Sequence, residues 1–195
     1  MSVGNIFAVT NQKGGVGKTT TTVNLAASLA DSGKKVLMID LDPQGNATTG
    51  CGIDKDAIET SSYDVIMAEA KASDAIIRPD GLGFDVMPTN TDLTAAEVQM
   101  LDLKSKEFRL RNALARIRDD YDYILIDCPP SLNLLTVNAM VAAHSVLVPL
   151  QSEFFALEGL SQLLSTVKQV RRTANPELRI NGVLLTMSDY RNNLS

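Results

Sequence analysis

The sequence predicts an α/β fold, a mostly parallel sheet with helices on both faces. Three observations lead there. Short apolar runs alternate along the chain with segments of helical period. The runs are continuous rather than alternating in polarity, as in strands buried on both sides. Three of them end in chemistry: glycines after Ile6-Phe7-Ala8-Val9, a carboxylate at Asp40 and another at Asp127. In open sheets of this kind, ligands bind beyond the carboxyl ends of the strands. Gly14, Asp40 and Asp127 therefore mark one candidate site.

Composition narrows the class. The 195 residues suit one domain, 1–195, and 45% hydrophobic residues supply a sizeable core. A net charge of −5 excludes a chain that is basic throughout and leaves room for local basic patches. Cys51 and Cys128 are too far apart for a disulfide framework or metal-ligand spacing, which points to a reducing cytoplasm. The lead Met1-Ser2-Val3-Gly4-Asn5 lacks the charge of a signal peptide. No segment approaches the roughly 20 apolar residues of a membrane span, so no membrane partner is expected.

The first strand runs into Gln12-Lys13-Gly14-Gly15-Val16-Gly17-Lys18-Thr19-Thr20, and residues 22–30 read as a helix. Strand, glycine loop, lysine, hydroxyl and helix form a phosphate-binding loop. Glycines let successive N–H groups turn toward phosphate oxygens, and the helix start adds its positive dipole end. Lys18 would reach the β- and γ-phosphates and the Thr19 hydroxyl would ligate Mg²⁺. Ser32-Gly33 stops the helix. Val36-Leu37-Met38-Ile39-Asp40 is a buried strand, and Leu41-Asp42-Pro43-Gln44-Gly45-Asn46-Ala47 is a loop beside the phosphate site.

Residues 47–62 read as a mobile connection with at most a short helical turn. Residues 63–67 form a short helix capped by Ser61 or Ser62. Phe84-Asp85-Val86-Met87-Pro88 is a strand, and Thr94 with Glu97 has the spacing of a capping box. Residues 108–118 predict a helix with Leu110, Ala113, Leu114 and Ile117 on one face. Its other face carries Arg109, Arg111, Arg116 and Arg118, with Lys104 and Lys106 upstream, and is either a solvated face or a docking surface for DNA or an acidic partner. Tyr121-Asp122-Tyr123-Ile124-Leu125-Ile126-Asp127 is a strand that Pro129 and Pro130 terminate. Cys128 reads as an inert buried thiol. A helix over 134–143, a strand from Ser145 to Leu150 opened by a structural His144, a long helix to about Thr173 and a last strand from Ile180 to Thr186 follow. Lys168, Arg171 and Arg172 suit the C-terminal end of the long helix, although a DNA contact is the alternative.

The loop departs from the standard phosphate-binding pattern: Gln12 stands where a glycine is usual, and Lys13 precedes the glycine pair. This resembles the deviant Walker A motif, KGGxGK[ST], of the ParA/MinD family of P-loop ATPases. Asp40-Leu41-Asp42, Asp127-Cys128-Pro129-Pro130-Ser131 and residues 149–160 resemble further motifs of that family in the same order. The resemblance implies a P-loop NTPase fold, ATP and Mg²⁺. Nucleotide contacts would come from Lys13, Gly14, Gly15, Val16, Gly17, Lys18, Thr19 and Thr20. Metal contacts would come from Thr19, Asp40 and Asp127, with Asp40 acting through a bound water and Asp127 directly or through a water. Asp42 would position the attacking water, and Lys13 would reach across a homodimer to the partner's nucleotide.

The segment from Thr186 to Asp189, Met187 included, would contact the base. Ser188 and Tyr190 replace the usual Phe and Pro of the family pattern. Because the first strand starts almost at Met1, the chain looks like the short, chromosomal Soj type of ParA. It would then be an ATP-dependent dimerising switch for DNA partitioning, acting with a ParB-like activator and non-specific DNA, and nucleoid-associated when ATP-bound. A MinD-like membrane-positioning ATPase and a metabolic ATP-dependent enzyme on the same scaffold are the alternatives. Leu194-Ser195 falls short of the family pattern, so a C-terminally truncated domain is expected.

Overall fold

Six parallel strands form the sheet, in the order β3-β2-β4-β1-β5-β6. The computed structural model describes residues 4–151 and 156–187, and of 156–158 the backbone alone. The strands are β1 Asn5–Val9, β2 Val36–Asp40, β3 Asp85–Met87, β4 Tyr123–Asp127, β5 Ser145–Gln151 and β6 Arg179–Thr186. The α-helices are α1 Lys18–Asp31, α2 Asn46–Gly50, α3 Ser62–Met67, α4 Leu93–Gln99, α5 Arg109–Leu114, α6 Leu134–Ala142 and α7 Ala156–Thr173.

Each apolar run divides its side chains between two layers, because neighbours on a strand face opposite ways. Ile6, Ala8, Leu37, Ile39, Ile124 and Ile126 pack with α3 to α7. Phe7, Val36, Met38 and Leu125 pack with α1 and α2. This is why the runs show no polar alternation. The chain leaves β1 toward β2 on one side and later fills β5 and β6 on the other. The order therefore reverses beside β1, the strand that carries the glycine loop, and such reversal points hold ligands.

Register then fixes the acids. Asp40 pairs with Asp127 across β2 and β4, and Val9 pairs with Asp127 across β1 and β4. The N–H of Leu41 donates to Asp127 O (3.0 Å), and that of Cys128 to Val9 O (3.2 Å). Three strand ends thus meet at one level.

Several local expectations hold. Gly33 takes φ +78 just after α1. Ser61, rather than Ser62, caps α3 in a capping box with Asp64. His144 is structural, its Nδ1 accepting from the Ile6 N–H (2.9 Å). Others need correction. Thr94 and Glu97 form no capping box: buried Leu93 already lies inside α4, and Glu97 accepts instead from Asn133 Nδ2. The helix expected over 108–118 is α-helical only as α5. The chain turns after Leu114 and tucks Ile117 into the core before β4. Residues 47–62 contain α2 and the 3-10 turn Lys55–Ala57. Residues 152–155 of the 149–160 motif, and the expectations for Ser188 onward, lie outside the described residues.

The entry into β1 is tight. A Cβ on Gly4 would run into the carbonyl oxygens of Tyr121 and Arg118. Backbone cannot yield as a side-chain tip can, so Gly4→Ala should cost about 1–3 kcal/mol. Thermal unfolding would show this as a midpoint lowered by roughly 2–4 °C per kcal/mol.

Candidate phosphate-binding site

The loop after β1 is held from below. Asn11, buried, donates through Nδ2 to Pro149 O (2.8 Å) and accepts at Oδ1 from the Lys13 N–H (3.0 Å). The Thr186 hydroxyl donates to Val16 O (2.8 Å), and Gln151 Nε2 to Gly15 O (3.4 Å). The ends of β5 and β6 therefore fix the loop's backbone. Above it the described residues leave the space open: none of their atoms comes within 4 Å of a Cβ placed on Gly14 or Gly15. Gly15 and Gly17 adopt φ +74 and +85, the left-handed region that glycine enters without steric cost.

Gly17 is also the N-cap of α1. No side chain caps the helix, and its first turn contains no acid. Among the described residues, the 14-residue helix thus presents N–H groups without a side-chain cap at its positive end, beside the glycine cradle.

Lys18 is only 7% exposed, and its Nζ donates to Lys13 O (3.0 Å) across the loop. Burial lowers its pKa, opposed by the nearby charges of Asp127 and Asp42. In the first turn of α1, the Thr19 hydroxyl donates to Asp127 Oδ2 (2.7 Å). Thr22 donates to Asp127 Oδ1 (3.2 Å) and to Lys18 O (2.9 Å). Burial pushes Asp127 up to about 7, with Asp40 adding to the rise and the two threonines opposing it.

Asp40 is fully buried and tied to the loop that follows it. Its Oδ2 accepts from the N–H and the hydroxyl of Thr48, both at 2.7 Å, and its Oδ1 from the Asp42 N–H (3.1 Å). Burial raises its pKa to about 6. Asp42 is 6% exposed and accepts from the Gln44 N–H (3.0 Å). Gly45 closes this turn at φ +65, and a Cβ there would press on Lys55 and Thr89.

Thr19 and Asp127 set a hydroxyl and a carboxylate side by side. Among the described residues no three His, Cys, Asp or Glu gather as a metal cluster. This donor set suits Mg²⁺, a hard cation that uses one or two carboxylates and completes its shell with waters and phosphate oxygens. Cys128 is fully buried, and burial raises its thiol well above the usual value, so it stays protonated. Met187 is 69% exposed, with φ +53, and its Sδ is contacted by Gln151 Nε2.

The predicted residues 13–20, Asp40, Asp42, Asp127, Thr186 and Met187 thus lie along connected strand ends. Sequence reasoning missed Asn11, Thr22, Thr48 and Gln151. Of these Thr22 carried a local signal, three residues after Thr19 on the same helix face, and Gln151 lay within the 149–160 motif without a role assigned to it.

Residues 4–180 match a family model described as an AAA domain. The chain is 54% identical over 192 residues to the chromosome partitioning protein ParA of Caulobacter vibrioides, covering 97% of this chain and 72% of that protein. It is 53% identical over 192 residues to the sporulation initiation inhibitor protein Soj of Bacillus subtilis, covering 98% and 76%. Among solved structures, a cobyrinic acid a,c-diamide synthase from Mycobacterium smegmatis with bound ATP analog and magnesium matches with a TM-score of 0.94 at 43% identity, covering 97% of this chain and 78% of that one.

Proposed function

The chain belongs to the ParA/Soj family of partitioning ATPases, and from that premise we propose that it is a nucleotide-driven switch. In this reading it binds ATP and Mg²⁺, forms a face-to-face homodimer and then binds DNA without sequence preference. It hydrolyses ATP slowly until a DNA-bound ParB-like partner accelerates the step, and it works in the cytoplasm on the nucleoid. The observation that carries the reading is the convergence of Thr19 and Thr22 on Asp127 beneath an open glycine cradle.

The residues divide the work. The backbone N–H groups of residues 14–17 and the start of α1 take the phosphates, and Thr20 lies beside them. Lys18 exchanges Lys13 O for the β- and γ-oxygens, where its charge counts most as negative charge builds up in the transition state. Thr19 and Asp127 would hold Mg²⁺, Asp40 would meet it through a bound water, and the ion would neutralise phosphate charge. Asp42, pinned by the Gln44 N–H, orients a water toward the γ-phosphorus. That water's oxygen bonds to phosphorus as the bond to the ADP oxygen breaks, yielding ADP and phosphate. Thr186 and Met187 border the base. Lys13, by the family resemblance, serves the partner subunit's nucleotide.

A second reading, an ATP-dependent amide-forming enzyme, is favoured by the likeness to the Mycobacterium smegmatis cobyrinic acid a,c-diamide synthase. Turnover separates the two. The switch reading expects slow ATP hydrolysis that duplex DNA plus a ParB-like protein raises and that added salt suppresses through DNA release. Hydrolysis that is indifferent to DNA but stimulated by a carboxylic acid with a nitrogen donor would favour the synthetase.

A further inference from the structure

The most basic stretch of the sequence, around residues 104–118, takes no part in the phosphate site. Three of its cations, Lys104, Arg109 and Arg116, instead line a cleft of about 390 Å³ between α3, the 3-10 turn Ala72–Ala75 and α5. Val65, Ile66 and Ile117 line it and are buried, which gives it an aliphatic floor. Lys71, Lys104 and Arg116 are exposed and Arg109 half-buried around that floor. Among the described residues no aspartate or glutamate lines the cleft, although the chain as a whole carries a net charge of −5.

The walls are held in place. Arg109 Nε donates to Ile66 O, which ties α5 to α3 and fixes where the guanidinium stands. Buried Asn138 on α6 accepts from the Leu110 N–H (3.2 Å) and donates to Lys106 O (2.9 Å), so the segment that follows Lys104 is anchored to the core. A cation already held in position loses less freedom on binding than a mobile one.

We propose that this cleft binds an acidic partner segment, a peptide whose apolar side chain enters the cleft while flanking carboxylates meet Lys71, Lys104, Arg109 and Arg116. Two features decide the chemistry. The aliphatic floor rewards an apolar anchor, in the way a central pocket does in protein interfaces. The unopposed cations reward negative charge on either side of that anchor and steer it in. A nucleic-acid backbone would use the cations and gain nothing from the floor. The proposal is independent of the reading of the phosphate site, since it shares no residue with it.

The test uses the full chain and a fluorescein-labelled peptide in which Leu-Phe is flanked on both sides by Asp and Glu, followed by anisotropy at physiological salt. The cleft variant is Lys104→Glu with Arg116→Glu, and a charge-matched control is Arg171→Glu with Arg172→Glu at the end of α7. All four side chains are exposed, so both variants keep the fold, and circular dichroism checks this. The expected result is saturable binding that the cleft variant weakens by about tenfold or more. The control should leave it unchanged, and replacing Leu-Phe by Ser-Ser in the peptide should abolish it. Absence of binding would overturn the proposal. So would equal loss in the control, or equal binding of the Ser-Ser peptide, either of which would mean undirected charge attraction. Short duplex DNA that displaces the peptide, and itself loses affinity in the cleft variant alone, would assign the face to nucleic acid instead.

Discussion

Replacing Lys18 with methionine should lower ATP turnover by about 10²–10³-fold, the usual loss when one preorganised donor to developing negative charge is removed. The Lys18 amine bonds across the glycine loop to Lys13 O. Methionine matches the length of the stem and deletes the charge. The fold should not suffer. Burial lowers the pKa of Lys18, so its charge costs stability in the folded protein, and an apolar stem removes that cost. The thermal midpoint should therefore stay level or rise while turnover collapses. Turnover close to that of the unaltered chain would mean that the loop is not where phosphate is held.

Asp127→Asn should separate activity from stability still more sharply. Turnover should fall by about 10²–10³-fold, because the carboxylate beside Thr19 is the proposed direct anchor for the metal. Stability without Mg²⁺ should move the other way, and pH sets by how much. Asp127 titrates at about 7 in the folded chain against an ordinary 3.8. Between those values the folded protein holds a proton that the unfolded chain has released. Stability therefore falls as pH rises from about 4 to about 7 and remains lower above that. Asparagine removes the ionisation and can still accept from one threonine. At pH 8 without metal, the variant should melt about 2–4 °C above the unaltered chain, and at pH 5 the gap should close. Asp40, raised to about 6 by burial and close to Asp127, adds a smaller slope of the same sign that persists in the variant. A variant that melts lower at pH 8 would show that the two threonine bonds outweigh the buried charge.

The parts of this molecule legible in its sequence are those whose cause is local. Continuous apolar runs announced strands buried on both sides, and Asp40 and Asp127 at their ends announced the level of the site. Gly15 and Gly17 marked backbone that only glycine adopts easily. The parts that were not legible depend on partners far along the chain. Asn11 is explained by Pro149, Gln151 by Gly15, and the partner of Glu97 by Asn133. Thr94 and Glu97 have the spacing of a cap, but burial of Leu93 set the start of α4 two residues earlier, with Asp92 as the N-cap. Helical period continued past Leu114, whereas the need to bring Ile117 inward and enter β4 ended α5. Thr48 lay in a stretch read as mobile, yet two bonds to Asp40 make it part of the site's framework.

The central claim is that bound ATP assembles two copies of this chain, and light scattering tests it directly. Molar mass would be measured with ADP and with ATP plus Mg²⁺, using Asp42→Ala to slow hydrolysis, and again with Lys13→Ala added. The account predicts a monomer with ADP, a dimer with ATP and Mg²⁺, and loss of that dimer when Lys13 is removed. A monomer under every condition, with ATP binding demonstrated in the same samples, would contradict it.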